Sequence, residues 1–159
     1  MKIITYSEKE TIELGKKLAR ELHGGEVICL YGNLGAGKTV LVKGIAQGLG
    51  IKKIITSPTF ILMNIYKIRN PSPPFSGIPS VYKKIRAGKS EIRNFIHIDC
   101  YRIHKPEDME NIGAQEYFGR KDSIVVVEWP EKIKPILPKR KLEITITPKE
   151  KNNRIFAIH

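Results

Sequence analysis

Two stretches of the chain are apolar without interruption. Val27-Ile28-Cys29-Leu30-Tyr31 and Ile124-Val125-Val126-Val127 show no polar alternation, which predicts strands covered on both faces. Glu128-Trp129-Pro130 ends the second, because a proline cannot continue inside a sheet. Elsewhere the period is helical. Val42, Ile45, Ala46 and Leu49 recur at i, i+3, i+4 and i+7 and predict a helix that Gly48 and Gly50 bring to an end. Leu14, Leu18 and Leu22 form the stripe of an earlier helix, opened by a capping box in Ser7-Glu8-Lys9-Glu10 and stopped by His23-Gly24-Gly25. Alternation predicts strands over 60–68, 95–99, 142–147 and 154–158, with a short one at 54–55. The last two long ones read as an antiparallel hairpin with one solvated face. Residues 105–118 predict a short helix and turn, and 131–137 a brief helical or turn segment. No internal repeat is present.

Residues 69–94 break the pattern. Four prolines and a glycine fall within 69–79, which excludes a regular element there. The strands on either side are expected to pair as an antiparallel hairpin with this segment as its tip. Residues 67–94 also carry Lys67, Arg69, Lys83, Lys84, Arg86, Lys89 and Arg93 against Glu91, which is +6 of the chain's net +12. Such a surface suits an acidic partner, RNA foremost, and equally suits a plain solvated face.

Between the first buried strand and its helix lies Gly32-Asn33-Leu34-Gly35-Ala36-Gly37-Lys38-Thr39, a phosphate loop of pattern G-x-x-x-x-G-K-[ST]. Its glycines let consecutive N–H groups point at a polyphosphate, and the helix N-terminus adds partial positive charge there. Lys38 can bridge the β- and γ-phosphates, and the Thr39 hydroxyl can ligate Mg²⁺. Strand, loop and helix in this order predict an α/β fold, a P-loop NTPase-like three-layer sandwich with a mixed, partly antiparallel sheet. The loop needs acid support from the end of an apolar strand. Glu128 and Asp99 each end one, and with Thr39, phosphate oxygens and water they would complete an octahedral Mg²⁺ shell.

Composition constrains the rest. At 159 residues, 41% apolar and 28% charged, the chain reads as a single globular domain, 1–159, with the basic, Pro-rich segment inserted. No run approaches the roughly 20 apolar residues of a membrane span, and the first residues lack a signal-peptide core, so the expectation is a cytoplasmic protein. Cys29 and Cys100 are too few and too far apart for a metal cluster or a disulfide framework and read as buried or half-buried thiols.

The phosphate loop, Thr56-Ser57-Pro58-Thr59-Phe60, His97-Ile98-Asp99-Cys100-Tyr101-Arg102 and Val127-Glu128-Trp129-Pro130-Glu131, in this order, resemble the TsaE (YjeE) family over almost the whole chain. The resemblance implies an ATPase required for making threonylcarbamoyladenosine in tRNA, acting with TsaD and TsaB and weakly active alone. It implies ATP and Mg²⁺ as cofactors, with Lys38, Asp99 and Glu128 as the catalytic set. Nucleotide would be held by Asn33, Leu34, Gly35, Ala36, Gly37, Lys38, Thr39 and Val40, with Thr59 in a switch-like segment and Trp129 beside the site. Metal would fall to Thr39, Asp99 and Glu128. Trp129 reads more readily as a packing aromatic than as a catalytic group, and His97, one pleat back from Asp99, reads as an orienting or packing residue rather than a base. Tyr101 and Arg102 would touch a partner or stabilise the turn, and Arg102 is the nearest candidate for a charge-stabilising arginine. The 69–94 segment departs from the family, whose members join these strands by a short turn, and is expected to contact tRNA or an acidic partner. The alternative is a small-molecule or nucleoside kinase on the same loop. A GTPase lacks support because no N-K-x-D motif is present, and a nonenzymatic RNA-binding module would rest on charge alone.

Overall fold

The computed structural model describes residues 1–57, 62–68 and 91–159. Seven strands form one sheet: β1 (Lys2–Thr5), β2 (Val27–Tyr31), β3 (Met63–Lys67), β4 (Asn94–Asp99), β5 (Ser123–Glu128), β6 (Leu142–Pro148) and β7 (Arg154–Ile158). Their order across the sheet is β1-β7-β6-β2-β5-β4-β3. The four central strands, β6, β2, β5 and β4, are mutually parallel, while β7 and β3 run antiparallel to their neighbours. The sheet is therefore mixed, as the sequence predicts.

Its alternating side chains feed two apolar layers. Ile28, Leu30, Phe95, Ile124, Val126 and Ile144 pack under α1 (Glu8–Glu21) and α2 (Lys38–Gly48). Cys29, Ile96, Ile98, Val125 and Val127 face the other way, under α3 (Glu107–Asn111) and the 3₁₀ turns Ala114–Tyr117 and Pro130–Ile136. This is a three-layer arrangement, and it explains why β2 and β5 tolerate no polar alternation. Both cysteines lie in the second layer, where burial pushes each thiol up to about 12.

The capping box closes α1: Ser7 Oγ accepts from the Glu10 N–H at 3.1 Å, and Glu10 Oε2 accepts from the Tyr6 N–H at 2.9 Å. The helix then meets α2 at glycines. A Cβ on Gly15 would lie 2.7 Å from the Gly44 Cα, and one on Gly44 would lie 2.4 Å from the Ile12 carbonyl oxygen, so the two backbones touch directly.

Three boundaries differ from the sequence reading. Residues 54–55 form no strand: Ile55 is buried against the first layer while Ile54 is exposed. β3 runs from Met63, after Leu62 with a φ of 66°, whose carbonyl still accepts from the Asp99 N–H at 3.0 Å; residues 60 and 61 lie outside the described residues. β1 is an added strand, short and β-branched, that pairs with β7 and so lies at the sheet edge. The expected hairpin flanking 69–94 is present as the β3/β4 pair, from Met63↔Ile98 to Lys67↔Asn94. Residues 69–90, and with them most of the basic segment, lie outside the described residues.

Candidate functional site

The parallel strands β2, β5 and β4 end together, which sets the phosphate loop, Glu128 and Asp99 along one edge of the sheet. Asp99 stands directly opposite Glu128 in the β4/β5 register. That edge is where ligand sites form in open α/β sheets. Here it opens into a cleft of about 420 Å³ lined by Leu34 to Val40 of the loop and α2, and by Ser57, Asp99, Tyr101, Glu128, Trp129 and Arg154.

The loop geometry comes from Gly37, which precedes α2 with a φ of 103°, a conformation that L side chains rarely adopt. No side chain caps α2, so its first N–H groups face the cleft edge without a local acceptor. Asn33 closes the loop through its carbonyl, which accepts from the Ala36 N–H at 3.1 Å. Leu34 stands outward at 72% exposure.

Lys38, only 4% exposed, donates from Nζ to the carbonyls of Gly32 at 2.6 Å and Asn33 at 3.1 Å. Burial lowers the pKa of its ammonium, and the negative charges of Glu128, Asp99 and Glu131 oppose that shift. The Thr39 hydroxyl lies 3.0 and 3.2 Å from the two oxygens of Glu128. Glu128 Oε1 also meets His97 Nε2 at 2.8 Å. Asp99 is engaged on both oxygens, Oδ2 by the Ser57 hydroxyl and Oδ1 by the Tyr101 N–H at 2.9 Å. Trp129 has a left-handed φ of 58°, and its ring packs 5.1 Å from that of Tyr101.

The oxygen donors suit Mg²⁺. Among the described residues no cluster of three or more His, Cys, Asp or Glu side chains could hold a metal by itself. A hydroxyl and carboxylates that leave the remaining positions to phosphate and water are what Mg²⁺ ordinarily takes.

The family model described as Threonylcarbamoyl adenosine biosynthesis protein TsaE matches residues 5–156. The chain belongs to the TsaE family. A TsaE protein of Treponema pallidum is 35% identical over 159 residues, covering 99% of each chain. One of Bacillus subtilis is 34% identical over 142 residues, covering 89% of this chain and 74% of that protein. A crystal structure of Bacillus subtilis YdiB superposes with a TM-score of 0.70 at 29% identity, covering 99% of this chain and 83% of that one. TsaE proteins are named for a tRNA modification, threonylcarbamoyladenosine, and the chain's family places it in that biosynthesis.

Within this TsaE-family cleft the structure brings together Leu34 to Val40, Asp99, Glu128 and Trp129, while Asn33 is not among the lining residues. Thr59 lies outside the described residues. Arg102 is exposed and does not line the cleft. Among the described residues the arginine that does is Arg154, whose side chain lies so close to Gly37 that a Cβ there would come within 2.6 Å of its Nε. No local motif announces Arg154. It arrives because β7 returns beside β6, two strands from the loop.

Proposed function

We propose that the chain binds ATP in this cleft and hydrolyses it with Mg²⁺, weakly on its own, as a subunit acting with TsaD and TsaB in threonylcarbamoyladenosine formation on tRNA. The observation that carries the reading is the Thr39–Glu128 hydrogen bond, which joins the last residue of the phosphate loop to a buried carboxylate at a strand end. That pairing is the support a phosphate loop needs for Mg²⁺.

In this reading the N–H groups around Gly35 to Thr39 take the phosphate oxygens, and Lys38 exchanges its two carbonyl partners for phosphate. Asn33, Leu34, Ala36 and Val40 shape the loop against the nucleotide. Thr39, Glu128 and Asp99 would hold Mg²⁺, which supplies charge neutralisation on the transferring phosphoryl group. Asp99 also holds Ser57, and so ties the segment leading to Thr59 to the site. Trp129 closes the cleft wall above Lys38. The chain acts as one domain over 1–159, and its 69–94 segment contacts tRNA or an acidic partner surface.

The test mixes the chain with TsaD and TsaB and measures phosphate release and modified-tRNA yield, with Glu128→Ala alongside. Stimulated hydrolysis that the variant loses supports the reading. A phosphorylated small-molecule acceptor, or no response to either protein, overturns it.

A further inference from the structure

We propose that His97 is a positioning residue of this site: its Nε2–H holds the Glu128 carboxylate on Thr39 and away from Lys38. This inference rests on the ATPase reading above.

His97 is fully buried in mid-β4, between Asn64 of β3 and Val126 of β5 in the strand register. Its Nε2 lies 2.8 Å from Glu128 Oε1, while Nδ1 is buried with no hydrogen-bond partner. Orphaned buried N–H groups are rarer than under-satisfied acceptors, and a carboxylate can only accept. The ring proton therefore belongs on Nε2, and Nδ1 is the bare nitrogen.

The hydrogen bond has work to do because of where Lys38 lies. Glu128 is the strongest charge acting on the Lys38 ammonium, and both side chains are almost wholly buried. Left to itself, a carboxylate with three rotatable bonds in a low-dielectric cleft would close onto that ammonium as an ion pair. Instead, Lys38 donates to the carbonyls of Gly32 and Asn33, and Glu128 is held by His97 and Thr39. His97 thus keeps two opposite charges apart, so that the lysine is left for phosphate and the carboxylate for the Thr39 side. Hydrogen-bond partners that orient a metal-site carboxylate in this way commonly change metal affinity or activity by about 10- to 100-fold when removed.

The experiment combines ¹⁵N NMR of the histidine rings in the unliganded protein with ADP-binding and ATPase measurements on His97→Leu and His97→Gln. The Nε2–H tautomer is expected for the one ring whose signals vanish in His97→Gln, and it should shift in Glu128→Gln. Removing the donor in His97→Leu lets Glu128 engage Lys38, and should therefore lower Mg²⁺-free ADP affinity as well as the Mg²⁺-dependent gain in affinity and kcat, the last two by about 10- to 100-fold. His97→Gln, whose amide N–H can reach the same oxygen, should recover most of that loss. An Nδ1–H tautomer, or a His97→Leu protein with undiminished Mg²⁺ gain and kcat, overturns the proposal. If His97→Leu does not fold, the tautomer and the His97→Gln kinetics decide. If the wild-type protein neither binds ADP nor hydrolyses ATP, the ATPase reading fails, while the NMR arm still tests the His97–Glu128 bond.

Discussion

The Lys38 ammonium lies 3.8 Å from the centre of the Trp129 ring, and the same nitrogen is bonded to the carbonyls of Gly32 and Asn33. The lysine that should meet phosphate is thus parked between backbone acceptors and an aromatic face. Trp129 can offer that face because its left-handed backbone turns the ring back over the loop.

Trp129 is the chain's only tryptophan, so its emission reports on this site. When phosphate draws Lys38 off the ring, the fluorescence should change. Titration with ADP or ATP is expected to give a saturable change in the wild type and none in Lys38→Met at concentrations that saturate the wild type. An unchanged signal, with nucleotide shown by calorimetry to be bound, would mean that Lys38 does not leave the ring.

The buried position of Lys38 also predicts a pH dependence. Its folded-state pKa is lowered from the ordinary 10.5, chiefly by burial. Only the ammonium attracts phosphate, so ADP affinity should fall as pH rises through the lowered value, below the range where an exposed lysine titrates. The sign for stability is the reverse. Burial penalises the charged form, so this residue's contribution to folding improves as pH climbs from the lowered value towards 10.5. Dissociation constants measured by calorimetry from pH 7 upward should show the fall in wild type, and a weak, flat profile in Lys38→Met.

Glu128 is predicted to matter more for turnover than for holding nucleotide. Glu128→Gln keeps the volume and one acceptor oxygen for Thr39 but removes the charge. On the proposed ATPase reading, loss of this carboxylate should lower kcat by about 10²-fold or more. ADP affinity without Mg²⁺ should stay within a few-fold, because the loop N–H groups and Lys38 are untouched. Phosphate-release kinetics and calorimetry on one preparation separate the two. A parallel loss of both would make Glu128 a binding residue.

Much of this site is legible from sequence because it is local. The phosphate loop, Asp99 and Glu128 each end a strand with a strong apolar signature, and parallel pairing then aligns the strand ends without further information. What sequence does not disclose depends on non-local placement. Arg154 reaches the loop only through the order β7-β6-β2, which no spacing encodes. Ser57 bonds Asp99 from 42 positions away. His97 can be read as an orienting residue from its place beside Asp99 in sequence, yet its partner proves to be Glu128 on the neighbouring strand. β1 is hard to see for a different reason: four residues are too few for a period to emerge, and its pairing comes from the other end of the chain.

The glycines at the α1/α2 contact predict a stability effect unrelated to catalysis. Gly48 reads in sequence as a helix stop, and Gly15 and Gly44 lie inside helices, where glycine ordinarily costs up to about 1 kcal/mol relative to alanine. Helix propensity therefore predicts that Gly44→Ala is stabilising. Packing predicts the opposite. The new methyl would sit 2.4 Å from the Ile12 carbonyl oxygen and 2.9 Å from its Cα, both backbone atoms that cannot swing aside. Relief requires α1 to move off the sheet, opening the layer that holds Leu14, Leu41 and Ile45. Overpacking of this kind costs about 1–3 kcal/mol, which exceeds the propensity gain. Thermal unfolding of Gly44→Ala should show a Tm lower by roughly 2–8 °C for a domain of this size. The sign decides between the two effects: a raised Tm would show that the helices have room to separate, and that the close approach is incidental to the fold.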